Sequence, residues 1–205
     1  MELENALKEI RKGDKRKFAQ TVDLLISLKG MDMRRDSVNV ISTIPHVFSE
    51  KRVCGFLENK SDLVKTVTKV EFDKYKDKKA LKLLVRDYDF FIASAKVMPA
   101  VATAFGKSLG PTGKMPTPQL GVLMQETPEA IKALLARISK SIKIKAKEPA
   151  IRVAIGKETM SDEHLAQNIR TVYNDIVNVL PAKKENIRKV MIKLTMGAPI
   201  KVESL

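Results

Sequence analysis

Leu109-Gly-Pro-Thr-Gly-Lys-Met-Pro-Thr-Pro-Gln119 concentrates two glycines and three prolines in one short stretch. Proline fixes its own φ, lacks an N–H and biases the preceding residue away from the α region, whereas glycine opens the left-handed region. The stretch is therefore expected to be a shaped loop that a helix does not enter, with Gly110 and Gly113 supplying positive-φ turns. Immediately before it, residues 97–109 are expected to be helical, with Pro99 tolerated in the first turn. After it, Thr127-Pro128-Glu129 provides an N-cap, a proline at the first helical position and an acidic first turn.

Further upstream, apolar runs alternate with helical segments. The expected order is strand 52–57, helix 62–67, strand 69–72, helix 78–87, strand 89–93 and the helix that leads into the loop. Such alternation specifies an open parallel sheet and an α/β fold class. Towards both termini the period changes. Leu3, Leu7 and Ile10 recur at helical spacing over 2–12 until Gly13. Val22, Leu24, Ile26 and Leu28 then alternate with Thr21, Asp23 and Ser27 in a strand over 18–28, Gly30 and residues 33–37 form a turn, and Val38, Val40 and Ile44 carry a second strand that ends at Pro45. Beyond the central region, strands are expected at 141–146 and 151–155. Ser161 caps a helix bearing Leu165, Ile169, Val172, Ile176 and Leu180, and the last strand, 189–196, faces Val190, Ile192 and Leu194 one way. The pattern fits either one mixed α/β domain or a domain built from both termini, 1–48 and 141–205, with a second domain, 49–140, inserted into it.

The chain has 38 Lys+Arg against 24 Asp+Glu, a net charge of +14 and 44% hydrophobic residues, which suits a packed core in a field that attracts polyanions. Nucleic acid is the expected partner. A membrane is not: there is no basic amphipathic helix, no lipidation signal, no secretory leader and no apolar run of about 18 residues. Cys54, the single cysteine, allows no internal disulfide, so an intracellular protein is expected. His46 and His164 stand far apart in sequence and Cys54 lies in an apolar run, a distribution that suggests no catalytic centre, metal site or cofactor. Gly106-Lys-Ser108 superficially resembles a phosphate-binding loop, but Val101 stands where the first glycine is needed and the tripeptide ends a helix when it should begin one.

The 109–119 stretch, together with Leu194-Thr-Met-Gly-Ala-Pro199 and Lys17-Phe-Ala-Gln-Thr21, resembles the ribosomal protein L-one family over nearly the whole chain and in the same order. The spelling Gly113-Lys-Met-Pro116 is closer to archaeal than to bacterial members. The resemblance implies an α+β terminal domain with an inserted Rossmann-like α/β domain, and so favours the two-domain reading. It also implies a structural, non-enzymatic constituent of the large ribosomal subunit in the cytoplasm. Such a protein binds the large-subunit rRNA of the mobile stalk beside exit-site tRNA, assists release of deacylated tRNA, represses its own mRNA and is monomeric when free. The alternative is a non-ribosomal assembly factor of the same fold, which would usually carry a long basic extension where this chain stops soon after Pro199.

The candidate RNA-binding residues are Lys17, Phe18, Thr21, Arg188, Lys189, Lys193, Thr195, Met196 and Gly197. A threonine hydroxyl can exchange hydrogen bonds with a ribose 2′-OH, methionine can lie against a sugar or base, and glycine permits close approach. A plain strand followed by a Gly-Pro turn would also account for 194–199. Lys17 and Thr21 share the parity of Asp23 and Ser27, whereas Phe18 has the opposite parity and is either a core residue or an aromatic RNA contact. If the two terminal strands share a sheet, Thr21, Lys189, Lys193 and Thr195 make one polar, basic face. In the inserted domain the candidates are Gly110, Pro111, Gly113, Lys114 and Pro116. Two departures from the family stand out: Lys189 where bacterial members commonly have Ser, and Val47-Phe-Ser-Glu-Lys51 where many have a Gly-rich basic turn.

Overall fold

A computed structural model describes residues 2–12, 16–31, 38–75, 77–146 and 148–203. The stop expected at Gly13 and the turn expected over 33–37 lie outside the described residues. The chain divides into two units, Met1–Ser49 with Lys140–Leu205, and Glu50–Ser139. Helices and strands are mixed in both, as an α/β fold requires.

In the terminal unit, β1 (Thr21–Leu28), β8 (Ala150–Lys157), β9 (Ile187–Leu194) and β10 (Ile200–Val202) form an antiparallel sheet in the order β10-β9-β1-β8. Alternation puts Val22, Leu24, Ile26, Val190, Ile192, Ile151 and Val153 on one face. That face is covered by α1 (Leu3–Arg11), through Leu3, Ala6, Leu7 and Ile10, and by α5 (Asp162–Val179), through Leu165, Ile169, Val172 and Ile176. Ser161 caps α5 by accepting the His164 N–H. β2 (Val38–Thr43) and β7 (Ser141–Ala146) form a separate antiparallel ribbon. Ser42 fixes it to α5 by donating to Asp175 at 2.5 Å. The fully buried Asn168 of α5 donates to the carbonyls of His46 and Ile155 and accepts the His46 N–H, so its amide satisfies the backbone just beyond the ribbon.

The strand expected from residue 18 begins only at Thr21. Ahead of it the Gln20 carbonyl still accepts Glu158 N–H, but the Gln20 N–H donates to the Glu158 carboxylate and its side chain accepts Met196 N–H, so the ladder ends there. β10 escapes the pattern because three residues after Pro199 are too short to show a period.

In the inserted unit, β3 (Val53–Phe56), β4 (Lys65–Val67), β5 (Phe90–Ser94) and β6 (Val122–Leu123) form a wholly parallel sheet in the order β4-β3-β5-β6. It is accompanied by α2 (Lys78–Asp87), α3 (Met98–Thr112) and α4 (Pro128–Lys140). The core is aromatic. Phe56 lies 4.9 Å from Phe105 and 5.6 Å from Phe91, ring centre to ring centre, and Phe72 meets both Phe56 and Phe105 edge-on.

Two expected elements exchange forms. Residues 62–67, expected helical, supply a turn and β4, and 69–72, expected extended, lie in a 3-10 helix, Lys69–Tyr75. The Thr66 hydroxyl accepts Ser61 N–H and donates to the Val64 carbonyl, which closes a turn too tight for a helix. Thr68-Lys-Val-Glu71 then acts as half a capping box: the Glu71 carboxylate accepts Thr68 N–H at 3.2 Å, and this bond holds its pKa below the usual carboxylate value.

The 109–119 stretch requires a second correction. α3 enters it, running through Gly110 and Pro111 to Thr112. A proline in the last turn deletes only one helical hydrogen bond, and the end is closed by a Schellman arrangement. Gly113, at φ 72°, donates to the Gly110 carbonyl, and Lys114 N–H donates to that of Leu109, both at 3.1 Å. Gly110 itself needs no left-handed conformation. The positive φ lies instead at Gly113 and at Gly121 (136°), which leads into β6, a two-residue strand that sequence periodicity cannot register.

Candidate nucleic-acid interface

The face of the terminal sheet opposite the two helices is open. Register pairs Asp23 with Lys193, Leu25 with Met191 and Ser27 with Lys189 across β1 and β9, and Lys201 with Met191 across β9 and β10. On the other flank, Leu25 pairs with Arg152. Directly paired residues share a face, so Lys189, Lys193, Lys201 and Arg152 surround Leu25 and Met191. Asp23 is the buried acid among them. Its carboxylate accepts two bonds from the Arg152 guanidinium, at 2.7 and 3.0 Å, which neutralises the acid and pins Arg152 across the strands.

At the end of β9 the chain turns through Thr195-Met-Gly197, with Gly197 N–H donating to the Leu194 carbonyl at 3.0 Å. Thr195 was expected at a strand end with its hydroxyl presented to RNA. The structure puts it in this turn and commits the hydroxyl inward: Oγ1 accepts Thr21 N–H at 3.1 Å and donates to the Thr21 carbonyl at 3.3 Å, while Thr195 N–H bonds the same carbonyl at 3.0 Å. Thr21 and Thr195 are thus joined, and one lone pair of the hydroxyl is left for an outside donor. The Gln20 side chain adds a bond to Met196 N–H at 3.1 Å.

These bonds leave Met196 65% exposed on the turn, while Phe18, just ahead of β1, is 55% exposed. The core alternative for Phe18 is therefore set aside. Lys17, Arg188 and Lys189 are exposed, whereas Lys193 and Gly197 are half-buried. A Cβ at Gly197 would come within 3.3 Å of the Leu194 Cβ, so the tight turn itself favours glycine. Arg152, Lys201 and Gln20 were missed as candidates. Arg152 occupied a visible polar position in an alternating strand, Lys201 lay in the unrecognised β10, and nothing in the sequence marks the inward role of Gln20.

Among the candidates of the inserted unit, Lys114 acts as a brace. Pro116 is buried, and Gly110 and Pro111 are exposed on the last turn of α3. The Lys114 ammonium donates to the carbonyls of Val85 and Tyr88, each at 2.7 Å. These carbonyls lie at the C-terminal end of α2, where a cation offsets the helix dipole. Lys51 does the same for α4, donating to the Ile138 and Ser139 carbonyls at 3.0 and 3.3 Å; burial lowers its pKa to about 8, against the pull of Asp89. Burial raises the Cys54 thiol to about 12, which leaves it an unreactive core residue at neutral pH.

His46 and His164, distant in sequence, stack with ring centres 3.8 Å apart, and His46 Nε2 lies 2.7 Å from the Gln167 side-chain oxygen. Among the described residues no group of three or more His, Cys, Asp or Glu is placed to hold a metal ion. No helix among them is long and apolar enough to cross a membrane.

The profile of the Ribosomal protein L1p/L10e family matches residues 7–198. The chain is similar to the large ribosomal subunit protein uL1 of Thermofilum pendens, with 37% identity covering 98% of this chain and 92% of that protein. It is also similar to the proteins of the same name from Methanobrevibacter smithii, at 32% identity with 98% of each covered, and Nanoarchaeum equitans, at 32% identity with 96% and 97% covered. Profile and relatives span both units, and the chain belongs to the ribosomal protein L1p/L10e family.

Proposed function

We propose that the protein is a structural constituent of the large ribosomal subunit, in the cytoplasm, and that the open face of its terminal sheet holds the rRNA of the mobile stalk. The observation that carries this reading is a basic face ending in a turn braced from inside: lysines and arginine surround Leu25 and Met191, and Thr195 locks the Met196 turn to the start of β1. Cations supply phosphate attraction that is independent of sequence. Shape recognition falls to the rigid turn, with Met196 and Phe18 projecting to meet sugars or bases and Gly197 allowing close backbone approach.

The inserted unit, with its 109–119 segment, faces exit-site tRNA and assists release of the deacylated molecule. A stalk-like fold in its own mRNA would occupy the same sheet face, so binding there represses translation. None of these tasks requires a catalytic step or a cofactor, and the free protein is a monomer. Co-sedimentation with large subunits tests the assignment. Stoichiometric retention through a high-salt wash is expected of a permanent constituent, whereas release of the protein, or its restriction to immature particles, would favour an assembly factor.

A further inference from the structure

In the inserted unit, Lys82, Val85, Arg86, Ser108, Thr112 and Lys114 line a groove of about 460 Å³ between α2 and α3. The volume is within the range of small-ligand sites. Its floor is apolar. Val85 is buried, the stems of Lys82 and Arg86 are aliphatic, and the Thr112 hydroxyl is engaged with the Ser108 and Leu109 carbonyls, which leaves its methyl for the groove. The rim is cationic: Lys82 and Arg86 are exposed one helical turn apart on α2. Lys114, on the Val85 and Tyr88 carbonyls, cancels the negative end of α2 that would otherwise repel an anion there. No carboxylate is among the lining residues. The neighbouring Asp87 carboxylate lies 3.5 Å from the Arg86 Nε, on the inner side of the guanidinium, whose outer nitrogens are also donors.

We propose that this groove receives a single unstacked nucleotide from an RNA loop, with its base on Val85 and the aliphatic stems and its phosphates on Lys82 and Arg86. An apolar floor beside two cations offers van der Waals contact to a base, the planar Arg86 guanidinium offers a face to stack on, and both cations attract the phosphates. A duplex, whose bases are hidden, would use only the rim. The proposal rests on the RNA-binding reading above and adds a contact separate from the terminal sheet.

The test is a nuclear magnetic resonance titration of the intact, isotopically labelled protein with a single-stranded RNA octamer, a hairpin duplex of equal charge and an oligoglutamate peptide. Signals of Val85, Ser108 and Thr112 should shift and saturate with the octamer alone. In Lys82→Ala/Arg86→Ala that response should weaken roughly ten-fold or more, with unchanged shifts at Met191 and Lys193. A spectrum otherwise like wild type establishes that the variant is folded. Groove signals that do not move, or that move equally with the duplex or the acidic peptide, would overturn the proposal. Groove shifts without any response at Met191 and Lys193 would instead count against the sheet reading alone.

Discussion

Replacing Thr195 by valine keeps the shape of the side chain and removes the hydroxyl that joins β9 to β1. The native hydroxyl makes two bonds to the Thr21 backbone, at 3.1 and 3.3 Å, both partly buried, while the Thr195 N–H bond to the same carbonyl survives in valine. Two modest bonds are lost and the Thr21 amide loses an acceptor, so the cost should be about 1–2 kcal/mol. In urea this lowers the midpoint with the slope unchanged, because the same surface is exposed on unfolding. The loosened turn should also weaken stalk-RNA binding about ten-fold, the equivalent of about 1.4 kcal/mol, with little change for a random duplex. Thr195→Ser keeps the hydroxyl and should restore both properties. If Thr195→Val is as stable as wild type yet loses stalk RNA, the hydroxyl touches RNA directly and the internal-brace argument is wrong.

Three other outcomes follow from the inserted unit and its core. Lys114→Met should cost about 1 kcal/mol and speed amide hydrogen exchange in the last turn of α2; uniform exchange across the unit would show that the ammonium is not a helix cap. Gly121→Ala should destabilise by about 1–3 kcal/mol, since φ is 136° and a Cβ would approach the Phe91 carbonyl oxygen to 3.0 Å and the Pro116 Cα to 3.2 Å. A calorimetric melting temperature equal to wild type would refute that strain. The Cys54 thiol, at about 12 in the folded chain against 9.0 ordinarily, keeps its proton where the unfolded chain releases it. Its contribution is therefore complete below pH 9 and is lost as pH rises towards 12. The stability advantage of wild type over Cys54→Ala should shrink between pH 8.5 and 10.5 in urea titrations, and a constant gap would contradict the assignment.

Much of the α/β character was legible because long amphipathic patterns report burial directly. Val22 to Leu28 and Val190 to Leu194 alternate because one side of their sheet is packed and the other open. α5 announced itself by its Ser161 cap and its apolar stripe. Short elements failed for a related reason: β4, β6 and β10 contain too few residues for a period, and local bonds from Thr66 and Glu71 decided the 61–75 region.

Pro111 misled for a different reason. Its residue type argues against a helix, but in the last turn the penalty is small and the Gly113–Lys114 closure offsets it. At the interface, polar parity along β9 put Lys189 and Lys193 on one face, in keeping with their register against β1, but gave no sign of Lys201. Parity could not foretell that Thr195 and Gln20 turn inward, or that Lys114 serves a helix end, because those roles depend on partners far away in sequence.

A terminal sheet that recognises RNA shape in addition to charge must keep its preferred RNA when the charge is screened. The most direct measurement is the affinity of the purified protein for an rRNA stalk fragment and a size-matched control duplex over a series of salt concentrations, with Lys189→Ala/Lys193→Ala alongside. Control binding should collapse as salt rises while stalk binding persists, and the double variant should lower the salt slope by roughly one to two. Equal affinities that fall together for both RNAs, with a slope indifferent to the two lysines, would contradict recognition of shape by this sheet.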